Sequence, residues 1–157
     1  MAGVEISDHR VKLGQRILAA LDRAGLLPES AFWVYSRRQK RWTFLAVSSL
    51  VDEFGRQAVY QNVMRAYPAM DWPKSFGIFG LQVEPLRRSS TAAPILAAVR
   101  PSMRGLVDVP TAYGDELAVW SCRLNAAPRG AARAAQRRAF REAMIASGSR
   151  LRLLRAA

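Results

Sequence analysis

Residues 31–48 read "AFWVYSRRQKRWTFLAVS", and the fold turns on how this stretch is divided. "AFWVYS" and "WTFLAVS" are rich in aromatic and β-branched side chains, with a short polar break between them. Two such runs so close together predict a hairpin. Side chains alternate across a strand, so Phe32 and Val34 should share one face and Trp33 and Tyr35 the other. The connection Arg37–Arg41 contains no glycine, which favours a loop built on a type I turn over a tight primed turn. Arg37, Arg38, Lys40 and Arg41 make it basic, and Trp42 closes it. Two readings are open. A polar tip is easily solvated, and Trp42 continues the strand pattern with Phe44 and Ala46. Alternatively, an aromatic beside cations could stack a base of single-stranded nucleic acid.

Outward from the hairpin the pattern turns helical. Before it, Leu13, Ile17, Ala20, Leu21 and Ala24 recur at helical spacing. They predict a helix from about Ser7 to Ala24, capped by Ser7 or Asp8 and ended by Gly25 and Pro28. After it, "LVDEFGRQAVYQNVMRAY" reads as one helix closed by Pro68. The loop "PAMDWPKSFG" leads to a third strand, "IFGLQVE", with Gly80 a bulge or close-approach point. A short helix capped by Ser90 or Thr91 carries Ile95, Leu96 and Val99. Strands "GLVDV" and "LAVWSCRL" follow, and "AARAAQRRAFREAMIA" is a helix by propensity, ended by Gly148. The order α-β-β-α-β-α-β-β-α predicts an α+β fold, a single mixed five-stranded sheet with packed helices. Residues 1–124 should form this domain, and 125–157 a basic Arg/Ala-rich helix and tail.

The chain has 157 residues, half of them hydrophobic, enough for one domain with a true core. No apolar run approaches the roughly 18–20 residues that span a bilayer, so no membrane is expected. The opening "MAGVEISDHR" lacks the apolar centre of a signal peptide, and a cytoplasmic location is the expectation. The single cysteine, Cys122, allows no internal disulfide, and its alternating context suggests a buried structural thiol.

The formal net charge is +12. Residues 1–122 carry 15 cations and 11 acids, whereas residues 123–157 carry 9 cations and one acid. Such asymmetry suggests an arm for an anionic partner, or a face that only keeps the protein soluble.

Other chemistries find little support. One His and one Cys cannot supply the common zinc sets, and no spacing joins His9 to a nucleophile. No phosphate-binding glycine motif is present, so no cofactor is expected. A carboxylate-metal nuclease would need Asp52, Glu53, Asp71, Glu84, Asp108, Asp115 or Glu116 to converge. Asp52 and Glu53 fit equally well as acids at a helix start.

The C-terminal helix carries the best functional signal. Arg129, Arg133, Arg137 and Arg141 recur every four residues, and Arg138 widens the ridge. Facing outward, their guanidinium groups would grip phosphate oxygens. That gives salt-sensitive affinity without base readout. A plain solvated face, or a docking helix using its Ala, Phe and Met side, accounts for the same pattern.

"AFWVYSRRQKRWTFLAVSSLVDEFGRQAVY" together with "GDELAVWSCRL" resembles a loosely defined set of small uncharacterised bacterial α+β proteins. They share an aromatic hairpin, a Ser-Leu-Val-Asp-Glu helix start and a final strand bearing an aromatic. The likeness covers about residues 10–124. It implies a single α+β domain with the basic tail as an addition, and it brings no assigned activity.

The leading expectation is a non-enzymatic protein that binds nucleic acid or another polyanion by backbone charge. Arg129, Arg133, Arg137, Arg138 and Arg141 would do this, helped by Arg37, Arg38, Lys40, Arg41 and Trp42. The alternative is a protein–protein interaction module: an adaptor, an inhibitor or a homodimer subunit.

Overall fold

The computed structural model describes residues 3–125 and 130–156; the side chains of residues 132, 133 and 147–156 fall outside that description. Ser7 caps α1 (Asp8–Arg23), its hydroxyl accepting from the Arg10 N–H at 3.1 Å. The hairpin follows as β1 (Ser30–Ser36) and β2 (Arg41–Ser48), antiparallel, with Trp33 opposite Phe44. Lys40 ends the connection in the left-handed region, φ 53°, where a glycine or asparagine is more usual.

The single helix expected next is two. Gly55, at φ 87° and ψ 157°, breaks it into α2 (Ser49–Phe54) and α3 (Arg56–Ala66). That backbone conformation is open to glycine alone. After 3-10 turns at Tyr67–Ala69 and Ile78–Gly80 come β3 (Leu81–Pro85), α4 (Ala92–Ala98), β4 (Val107–Pro110) and β5 (Glu116–Arg123). Thr91 stands at the N-cap of α4 as one of the two expected residues, but without a side-chain bond; the Ala92 N–H is accepted instead by the Ser89 hydroxyl at 2.9 Å. The last helix, α5 (Ala131–Ala156), runs on through Gly148.

The strands form one mixed sheet in the order β3-β2-β1-β5-β4, parallel only between β2 and β3. The α+β class and the five-stranded sheet expected from the sequence are therefore the observed ones. As β1 is central, both its faces are buried, with the alternation read from the sequence. Trp33 joins Phe44, Ala46, Leu81 and Val83 on a face covered by α1, α3 and α5. Phe32 and Val34 join Leu45, Val47, Leu117 and Val119 on the other, where α4 supplies Ala92 and Ile95. Cys122 is packed beside the first core, and burial pushes its thiol up to about 12, too high for a reactive thiolate at neutral pH.

The free edge of β3 is closed by α3. The Tyr60 hydroxyl accepts from the Val83 N–H at 2.7 Å and donates to the Leu81 carbonyl, while Arg56 Nε donates to the Val83 carbonyl. Burial raises the Tyr60 pKa. These bonds occupy the groups through which an unprotected edge would recruit another strand.

α5 belongs to the first core. Phe140 and Met144 are buried with α1 residues, and Gly25, just past the end of α1, lies against α5. Gly25 has φ 90°, and an added Cβ would lie 2.5 Å from the Gln136 carbonyl oxygen and 2.9 Å from the Phe140 Cβ. Gly25→Ala should therefore cost about 2 kcal/mol, part left-handed strain and part displacement of α5. Urea denaturation measures it, and a change within about 0.5 kcal/mol, the scale of an ordinary surface substitution, would contradict the close contact.

Candidate nucleic-acid interface

The arginines of α5 do not form one outward ridge. Arg137 is turned inward, its side chain 13% exposed. It donates to Glu29 Oε1 at 2.8 Å, to the Leu27 carbonyl at 2.9 Å and to the Ser49 hydroxyl. Glu29 in turn accepts from the Ser49 N–H and O–H, so its carboxylate anchors the start of α2. Arg137 thus ties α5 to the loop before β1 and the start of α2. Arg141 pairs with Glu53 at 3.3 Å, both half-exposed. Arg138 is exposed and lines a shallow surface depression with Ala134. Arg129 lies outside the described residues, as does the Arg133 side chain. The expectation of a continuous positive strip fails at Arg137, because a partly buried acid, Glu29, waits for it in the loop before β1.

The hairpin cations stand at the other end of the sheet. Ser49 follows the last residue of β2, and Arg41 is its first. The eight residues of β2 separate these ends by roughly 23 Å, so the tip and the Arg137 region are not one site. Arg37 is spent structurally: its guanidinium meets Asp108 at 2.8 Å and Glu116 at 3.9 Å, and Asp108 raises its pKa. Among the described residues no acid pairs with the exposed side chains of Arg38, Lys40 or Arg41. The tip is held in place by Asp115, which accepts from the Ser36 hydroxyl at 2.6 Å and the Arg38 N–H at 3.2 Å.

Beside the tip the second sheet face carries a groove. α4 lies over only part of the second face, and a groove of about 210 Å³ remains toward the hairpin. Its floor is Val34, Leu45 and Leu117; Arg41, Thr43, Gln39 and Gln82 are among its polar walls. Those residues come from β1, β2, β3, β5 and the tip, so the groove crosses the strands.

Trp42 sits on the opposite face of the sheet from Arg41. It is half-buried, 5.2 Å from the Tyr35 ring, with the Arg10 guanidinium 5.0 Å from its centroid. The same guanidinium lies 5.2 Å from the Trp33 ring, and burial lowers its pKa. Trp42 is packed, and its ring is not presented beside the tip cations.

Two other aromatics are presented at this end. Phe79 is 93% exposed and Tyr113 82% exposed, whereas every other Phe, Tyr and Trp is buried or half-buried. Tyr113 belongs to the turn between β4 and β5, two residues from Asp115. Phe79 belongs to the 3-10 turn that enters β3 beside the start of β2. Nothing in "PTAYGDE" or "IFGLQVE" marks either residue, because their common location depends on strand order.

The seven acids considered for a metal site are dispersed in separate structural tasks. Asp52 accepts from the Leu86 and Arg87 N–H groups, and Glu53 pairs with Arg141. Asp71 lies 3.7 Å from Arg23, and the buried Glu84 accepts from Arg56, Gln82 and Ser89. Asp108, Asp115 and Glu116 hold the tip, as described above. Among the described residues no three His, Cys, Asp or Glu side chains gather as a metal-ligand group. No described helix is long and apolar enough to cross a membrane. No protein-family model, curated protein or solved structure matches the chain.

Proposed function

We propose that the protein binds nucleic acid or another polyanion, and that it does so at the hairpin end of the sheet, without catalysing a reaction. The observation that carries this reading is the contrast between two sets of cations. Arg137 is consumed by Glu29, while Arg38, Lys40 and Arg41 are exposed and have no acidic partner among the described residues. Free guanidinium and ammonium groups on a fixed loop engage phosphate or sulfate oxygens with little reorganisation. The acids nearby do not cancel them: Asp108 and Glu116 are matched to Arg37, and Asp115 to backbone and hydroxyl donors.

Affinity of this kind falls with salt, by about 0.7 log units per phosphate contact and per log unit of salt on a single strand. Changing Arg38, Lys40 and Arg41 together to Gln should lower the salt slope for a short oligothymidylate by about 2. Elution from heparin should move to lower salt as well. Truncation after Ala146 removes Arg150, Arg152 and Arg155 yet keeps Phe140 and Met144, and it should leave most of the slope. A slope unchanged in the triple variant, or abolished by the truncation alone, overturns the assignment.

A further inference from the structure

We infer that the polyanion is a single-stranded nucleic acid, lying across the hairpin end of the sheet with bases stacked on Tyr113 and Phe79. This rests on the reading above and adds the class of ligand.

The inference starts from the exposed rings. Leaving a large apolar side chain in water forgoes about 1.5–3 kcal/mol of burial free energy. The other aromatic rings are buried or half-buried, many in edge-to-face series such as Trp33 with Phe44 and with Phe76. The two exceptions fall at the same end of one sheet, the end that also carries the unpaired cations. β5 begins where Leu117 pairs with Ser36, which places Tyr113 beside the tip. β3 begins where Leu81 pairs with Phe44, which places Phe79 beside the start of β2 on the other side of the hairpin.

The strand order then sets the spacing. From the β3 side to the β5 side is three strand intervals, roughly 14 Å, with Arg38, Lys40 and Arg41 in the loop between. Two stacking platforms with cations between them match a flexible strand whose phosphates and base faces alternate along its length, at the lower end of known site sizes, about four nucleotides. A duplex hides its base faces in the stack, so exposed rings find no stacking partner there, whereas an unpaired strand offers a π-face at every base. The two helices that begin near this end, α1 beside Trp42 and α4 after Thr91, lie packed on the two faces of the sheet. A sulfated polysaccharide would use the cations and not the rings.

The test is Tyr113→Ala with Phe79→Ala in the whole chain, titrated against fluorescently labelled oligothymidylate, the same length of duplex, and heparin. Stacking energies from alanine substitution translate to a loss of about 5- to 150-fold per ring. The double variant should therefore bind oligothymidylate at least about 30-fold more weakly and elute from heparin where the unsubstituted protein does. Tyr113→Phe with Phe79→Tyr should restore the oligonucleotide affinity. Unchanged oligothymidylate affinity in the double variant overturns the inference while leaving the charge-based reading intact. So does tighter binding of duplex than of single strand, or an equal loss on heparin from a variant whose melting temperature is unaltered. The charge-based reading fails separately, through the triple Gln variant.

Discussion

Arg137→Ala is expected to destabilise the protein by about 3 kcal/mol, at the lower bound for breaking a buried ion pair. The cost comes from what stays behind. Glu29 is 17% exposed and would keep only its bonds from Ser49, and the Leu27 carbonyl would lose its donor. For a chain of this length the loss lowers the melting temperature by roughly 6–12 °C. In urea the midpoint should fall with the slope unchanged. Arg137→Lys should recover part of the loss, since an ammonium can reach Glu29 but cannot fork between carboxylate and carbonyl. The salt slope for oligonucleotide binding should not change, because this guanidinium is already occupied. A loss under about 1 kcal/mol would place Arg137 among ordinary surface pairs and return it to the candidate interface.

Trp33→Ala should cost about 4 kcal/mol, within the range for deleting a large buried aromatic. Trp33 is fully buried at the centre of the first core, with edge-to-face contacts to Trp42, Phe44 and Phe76 at 6.4, 5.1 and 5.3 Å. Its indole N–H donates to the Arg10 carbonyl at 2.8 Å, so the cavity would also hold an orphaned acceptor. Trp33→Phe separates the two terms: most packing is retained and the hydrogen bond is lost, a change of about 1–2 kcal/mol. Equilibrium unfolding by near-ultraviolet circular dichroism reads both. A loss below about 2 kcal/mol for the alanine variant would contradict the central position of this ring.

Much of the fold was legible in the sequence because it is encoded locally. The alternation Phe32–Val34 against Trp33–Tyr35 reports which residues face which layer, and Ser7 and Gly25 mark the ends of α1 through their own backbone requirements. The break at Gly55 was missed because apolar periodicity continues across it, and only the backbone angle shows that the chain turns. The site was far less legible. An arginine every four residues describes a ridge, but whether it meets water depends on Glu29, more than a hundred residues away. The same holds for Trp42, which follows the tip cations in sequence and leaves them by one strand alternation. Tyr113 and Phe79 carry no local mark, and strand order alone brings them to the hairpin end.

The most direct measurement is a map of backbone amide chemical-shift changes on adding a short oligothymidylate to the isotope-labelled chain. Expected are perturbations at residues 37–43, 79–82 and 111–116, with the amides around Arg137 and Glu29 unmoved. Perturbations confined to α5, from Arg138 onward, with a silent hairpin would contradict the separation of structural from binding cations.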